Sequence, residues 1–176
     1  MISQNEAILA SVKDTAERMC TAAITAPKAR GKDSIVVAYL IGEELNKFAD
    51  KMEKFSSASD TAGKIFPRDA ECVRKAEAVV LIGARRIRRG LVPCGLCGFE
   101  NCGNSVDKGA HCSFDDIDLG IAIGSAVSVA ADNRADTRVM YTIGYAAMAE
   151  KLLGDDVETI MGIPISGKYK NIFFDR

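Results

Sequence analysis

The stretch APKARGKDSIVVAYLI, residues 26–41, decides how the chain is read. Its first seven residues form a Pro/Gly loop carrying three cations, Lys28, Arg30 and Lys32. From Ser34 to Ile41 it turns β-branched and almost wholly apolar, as a strand buried on both faces would be. Upstream, Ser3 and Glu6 have the form of a capping box, and Ile8, Val12, Met19 and Ala23 recur at helical spacing, so a helix is predicted over 4–25. Downstream, Leu45, Phe48, Met52 and Phe55 lie on one helical stripe that starts at Glu43 and ends in the Ser-rich turn 56–59. Helix, loop, buried strand and helix in succession predict layers packed on a sheet.

The same reading continues to the C-terminus. A short helix is predicted over 67–76, with Pro67 at its start, and a second buried strand over 78–83 (AVVLIG). The acids between Asp115 and Asp118 suit the N-terminus of a helix running to about Asn133, whose glycines and alanines favour close packing. A third strand is predicted over 138–143 (RVMYTI), a helix over 145–153, and a fourth strand over 157–165 interrupted at Gly162 and Pro164. The tail GKYKNIFFDR reads as ending in exposed aromatics. No repeat or long linker divides the chain, so one α+β domain over 1–176 is expected, its central sheet flanked by helices.

Composition narrows the function. The chain has 176 residues, 23 Lys plus Arg against 24 Asp plus Glu, and a net charge of −1. Sequence-independent nucleic-acid binding needs a basic excess, so a nucleic-acid partner is not expected. The most apolar stretch, residues 120–131, is too short to cross a bilayer and is broken by two serines. MISQNEAILASVKDTAER has no basic n-region, apolar core or small-residue cleavage site, so a cytoplasmic protein is expected. In that reducing compartment six Cys beside a single His point to metal or redox chemistry rather than disulfides.

Four of the six fall in PCGLCGFENCGNSVDKGAHC, residues 93–112, with the spacing C-x2-C-x4-C-x9-C. A tight turn lets two thiolates separated by two residues face one site, and Gly95, Gly98 and Gly103 permit that backbone. Zinc sites commonly carry a second C-x2-C, which is missing here. Three clustered Cys with one more distant is the arrangement that holds an iron–sulfur cluster, so Cys94, Cys97, Cys102 and Cys112 are the candidate metal ligands, with zinc the alternative. Cys20 reads as core. His111 reads as a neighbour of the site rather than a ligand. Arg85, Arg86, Arg88 and Arg89, just upstream, could offset cluster charge, raise its potential, dock an acidic redox partner, or simply face solvent. Lys28, Arg30 and Lys32 could bind a flavin phosphate or form a solvated loop. No residue is singled out as catalytic; one His without G-x-S-x-G argues against a serine hydrolase.

Two resemblances sharpen these readings. PCGLCGFENC followed by a later Cys resembles the small ferredoxin-type four-iron four-sulfur domain of corrinoid iron–sulfur proteins and electron-transport subunits. The whole chain looks like the prokaryotic family of ferredoxin-domain proteins of unknown function. On that resemblance the four Cys carry over as ligands of one 4Fe-4S cluster on an inserted loop, residues 93–113, and the function implied is electron transfer. The last gap is shorter than in the electron-transport domains, which makes Cys72 the substitute for Cys112. The segment 26–52 is similar in pattern to the loop, strand and helix of FMN-dependent nitroreductases, and 118–168 to their central helix, next strand and G-x-P segment. This implies a nitroreductase-like fold, a homodimer and an FMN-linked oxidoreductase. Here Lys28 and Arg30 replace the usual Ser and Asn, and the Arg-rich N-terminal flavin signature is missing. The runner-up is a zinc-binding interaction protein without redox activity.

Overall fold

The computed structural model describes residues 1–174. Helix α1 spans Gln4–Thr25 and opens on the capping box: Ser3 Oγ accepts from the Glu6 N–H, and the Glu6 carboxylate accepts from the Ser3 N–H at 2.7 Å. Strand β1 (Ile35–Ile41) follows, then α2 (Glu43–Glu53), a 3-10 turn over Lys54–Ala58, α3 (Asp60–Lys75) and β2 (Ala78–Arg85). A short α4 (Cys102–Asp107) precedes α5 (Ser113–Asp132), β3 (Asp136–Thr137), α6 (Tyr141–Ala149) and β4 (Val157–Ser166).

The four strands make one antiparallel sheet in the order β1-β2-β4-β3. Alternation along β2 divides the core. Ala78, Val80, Ile82 and Ala84 face α1 and α5, where Ala16, Met19, Ala23, Ala122, Ala126 and Ala130 bring the helices close. Val79 and Leu81 face the opposite layer, built by α2, α3 and α6 around Phe48, Met52, Phe66 and Ile143. Helices cover both faces, so central β2 is buried along most of its length.

Several sequence expectations are corrected. β1 is half-buried beyond Ile35 because it is an outer strand with a neighbour on one side only. α3 begins at Asp60, not Pro67: Ser59 caps it by accepting from the Ala62 N–H at 3.1 Å, and the buried stripe Ala62, Phe66, Ala70, Val73 carries the helix through the proline. The RVMYTI segment is not a strand beyond a lone bridge at Met140; helix α6 starts at Tyr141, four residues before its predicted start, and ends at Ala149 rather than 153. Packing outweighs the β-propensity of that segment. A Cβ on Gly144 would stand 1.7 Å from the Ile160 carbonyl oxygen, and one on Gly162 would stand 2.0 Å from Ile143 Cγ2. These two glycines let α6 lie directly on β4. β4 itself runs unbroken through Gly162 and Pro164, the latter opposite Val79. In the tail, Phe173 is fully buried and its carbonyl accepts from Arg138 Nη1 at 3.0 Å, whereas Phe174 is exposed. Asp175 and Arg176 lie outside the described residues.

Candidate metal centre

Between β2 and α4 the chain runs from Arg86 to Asn101 without helix or strand. Gly90, Gly98 and Gly109 take positive φ, and the Gly98 N–H closes a turn on the Gly95 carbonyl at 2.9 Å, a turn that includes Cys97 and follows directly on Cys94. Asn101 caps α4 through the Asn104 N–H at 3.0 Å, which makes Cys102 the first helical residue. Cys112 is the N-cap residue of α5 and is buried. Cys94 is exposed, while Cys97 and Cys102 are half-buried, and all four thiols are free. Among the described residues no group of three or more His, Cys, Asp or Glu side chains converges as a ligand set. The loop therefore carries the four thiols in one segment without gathering them.

The remaining sulfurs lie elsewhere. Cys72, on α3, packs against the core of the α2/α3/α6 layer, across the sheet from α5. Burial, and secondarily Asp69, pushes its thiol up. Cys20 sits on α1, where burial first and Glu17 second push its thiol up to about 11. His111 is exposed, with Nε2 3.7 Å from the Glu158 carboxylate.

The arginine run divides in two. Arg85 pairs with Asp156 at 2.7 Å and Arg86 with Glu158, both on the surface. Arg89 is 1% exposed, and its Nη2 donates to Ser34 Oγ at 2.9 Å and to Asp118 Oδ2 at 2.6 Å, with Asp115 Oδ1 at 3.2 Å. Asp118 also accepts from the Ala29 N–H, and Asp115 from the Ile87 N–H at 3.1 Å. Burial raises the Asp115 pKa, opposed by the Ile87 N–H and by Arg89. Arg88 Nη2 donates to the Ala110 carbonyl. These contacts tie the root of the Cys loop to the start of α5 and to the 26–32 loop.

That last loop is occupied with the same task. Lys28 Nζ donates to the carbonyls of Ala23 and Ile24 at the end of α1, and its side chain is nearly buried. Arg30 donates to the Arg89 carbonyl at 2.6 Å, and Lys32 to that of Arg88 at 3.4 Å. All three proposed phosphate ligands thus hold backbone carbonyls.

Several buried donors near the Cys loop have no hydrogen-bond partner: Nε and Nη1 of both Arg88 and Arg89, and Oγ of Ser105, which is 1% exposed. Orphaned buried donors are rare and call for a partner. Beside four thiols on an open loop, they fit an anionic thiolate-bound metal group in both donor type and charge. The spacing of Asp115 and Asp118 suggested only helix capping, so their pairing with Arg89 was missed; nothing in the sequence pointed to Ser105.

Residues 108–176 match a family model described as an uncharacterized protein containing a ferredoxin domain (DUF2148); the match begins after Cys94, Cys97 and Cys102 and includes Cys112. An uncharacterized protein of Archaeoglobus fulgidus is 46% identical over 173 residues, 94% of this chain and 91% of that one. Solved structures with the same fold include a nitroreductase-like family protein from Bacillus cereus, with a TM-score of 0.62 at 12% identity, covering 90% of this chain and 76% of that one. An oxidoreductase containing FMN gives a TM-score of 0.59 at 14% identity, covering 90% and 68%. At such identities the likeness concerns the fold alone, and the fold is nitroreductase-like. With its archaeal relative, the chain belongs to the family of uncharacterized proteins containing a ferredoxin domain.

Proposed function

We propose that this protein transfers electrons through one 4Fe-4S cluster held by Cys94, Cys97, Cys102 and Cys112. The observation that carries the reading is the union of four thiols in nineteen residues with unpartnered buried guanidinium and hydroxyl donors alongside. The family's description as containing a ferredoxin domain supports a redox role. When bound, such a cluster takes up and returns single electrons. The chain's own residues supply the rest. Cys102 and Cys112 stand at helix starts whose backbones are fixed by the Asn101 cap and the Asp115 N–H to Cys112 carbonyl bond at 2.8 Å, while Cys94 and Cys97 ride on the glycine turn. Exposed Cys94 puts the site at the surface, where a redox partner protein can reach it.

An FMN-linked oxidoreductase is the second reading, favoured by the nitroreductase-like fold. A flavin phosphate bound by Lys28, Arg30 and Lys32 would have to displace the carbonyls those cations now hold. The cluster is therefore the better supported resident group. We also infer a homodimer in the cytoplasm. Between the exposed Asp116 and Asp132, the outer face of α5 presents Ile117, Gly120, Ile121, Gly124 and Ser128 to solvent without a charge, and an uncharged apolar helix face is one that assembly covers.

Anaerobic purification followed by iron, sulfide, zinc and flavin analysis tests the reading. About four iron and four sulfide per chain, in a brown sample that bleaches on reduction, is the expected result. A colourless protein with stoichiometric zinc would refute it in favour of an interaction module, and released flavin would establish the second reading.

A further inference from the structure

Resting on the cluster reading above, we propose that Arg88 and Ser105 are the hydrogen-bond donors that face the metal group, and that they set its reduction potential. Arg85 and Arg86 take no part in this. The placement follows from the contacts. Ser105 stands three residues after Cys102 on α4, so the two side chains share one side of that helix. Its hydroxyl is buried with no partner, while its carbonyl accepts from the Ala110 N–H at 2.9 Å. The Ala110 carbonyl in turn accepts from Arg88 Nη2, which holds the guanidinium two residues from Cys112. Arg88 Nε and Nη1 are also buried without partners. Three orphan donors thus belong to side chains on, or hydrogen-bonded to, the segment that runs from Cys102 to Cys112.

The other arginines nearby hold partners through at least one nitrogen, although Nε and Nη1 of Arg89 are unpartnered as well, and Lys108 is exposed to solvent. Arg89 is paired with Asp115 and Asp118, Arg86 with Glu158, Arg85 with Asp156, and Arg30 and Lys32 with the carbonyls of Arg89 and Arg88. A donor aimed at cluster or thiolate sulfur stabilises the reduced, more negative state more than the oxidised one, so it raises the potential. The electron arrives from an external one-electron reductant, and no bond or proton moves at Arg88 or Ser105.

The test compares anaerobically prepared wild type, Ser105→Ala, Arg88→Met and Arg88→Lys by iron and sulfide content and by spectroscopically monitored redox titration. Ser105→Ala removes only a hydroxyl that has no protein partner, so it leaves the fold and the iron content intact. Both Ser105→Ala and Arg88→Met should shift the midpoint to more negative values, with Arg88→Lys between Arg88→Met and wild type. An unmoved midpoint with full iron content overturns the proposal while leaving the cluster reading in place. Loss of iron from Arg88→Met alone passes the decision to Ser105→Ala, read the same way. Loss of iron from both variants overturns the tuning role. A wild type without iron overturns the cluster reading and this inference with it.

Discussion

Replacing Arg89 with Met tests how the root of the Cys loop is held. In the native chain its Nη2 serves Asp118 at 2.6 Å, Asp115 at 3.2 Å and Ser34 Oγ at 2.9 Å, all nearly shut off from solvent. Methionine fills most of the aliphatic volume, so the loss is electrostatic rather than a cavity. It leaves two buried carboxylates with only the Ala29 and Ile87 N–H groups as donors. Removing one partner of a buried ion pair costs about 3–5 kcal/mol. For a chain of this size each kcal/mol moves the midpoint by about 2–4 °C, so thermal unfolding of metal-free Arg89→Met should fall by about 6–20 °C. The deficit also depends on pH. Burial raises the folded pKa of Asp115 above the ordinary carboxylate value of 3.8, and Arg89 holds that rise in check. A carboxyl with a raised folded pKa binds more protons folded than unfolded between the two values, so stability falls as pH climbs through that window. Without Arg89 the window widens upward, and the deficit against wild type should be larger at pH 8 than at pH 5. Circular dichroism melts at the two pH values measure both effects. A drop below about 2 °C that is the same at both would refute the network as described.

Gly144→Ala places a Cβ against the Ile160 carbonyl at 1.7 Å, where no flexible side chain can yield, so α6 must shift off β4. A loss of about 3 kcal/mol is expected in urea titrations, and a change under about 0.5 kcal/mol would contradict the contact. If the chain is the proposed homodimer, Ile121→Lys puts a charge on the outer face of α5 and should convert it into a monomer by light scattering; a monomeric wild type would refute the homodimer, and a dimer unchanged by the substitution would refute α5 as its contact. With the Cys20 pKa near 11, only about 0.1% of that thiol is ionised at pH 8, so timed alkylation of the metal-free protein should label exposed Cys94 first and Cys20 last. Cys20 labelling as fast as Cys94 in folded protein would disprove its burial. The same raised pKa means that stability declines as pH rises from about 9 towards 11, because the unfolded thiol ionises first.

What the sequence revealed and what it hid follow physical lines. α1 was legible to the residue, because a capping box and a long apolar stripe are local signals. β1 and β2 were legible as apolar runs bounded by Gly and charge. Local propensity misled at RVMYTI, where β-branched and aromatic residues sit in a helix because Gly144 and Gly162 allow α6 to touch β4. Pro67 hid the first half of α3, since the stripe that carries the helix through it is a tertiary feature. At the site, spacing alone marked the four Cys. Sequence could not foresee that Arg30 and Lys32 grip the carbonyls of residues 88–90, since that depends on two loops about 60 residues apart meeting in space.

The central ladder has a consequence for how the proposed cluster would be acquired. β2 and β4 pair from Ala78 with Ile165 to Arg85 with Val157, so the innermost pair closes a loop of about 70 residues that contains Cys94, Cys97, Cys102 and Cys112. Clamping 94 to 112 would shorten that loop to roughly 50 residues and relieve the closure entropy by only about 0.3 kcal/mol. Against a folding free energy of about 5–15 kcal/mol this is negligible. The sheet and its two helical layers do not depend on a clasp, unlike a zinc finger, which has no fold without its ion. On the proposed cluster reading, loading would therefore follow folding, on a finished scaffold whose Cys loop is open.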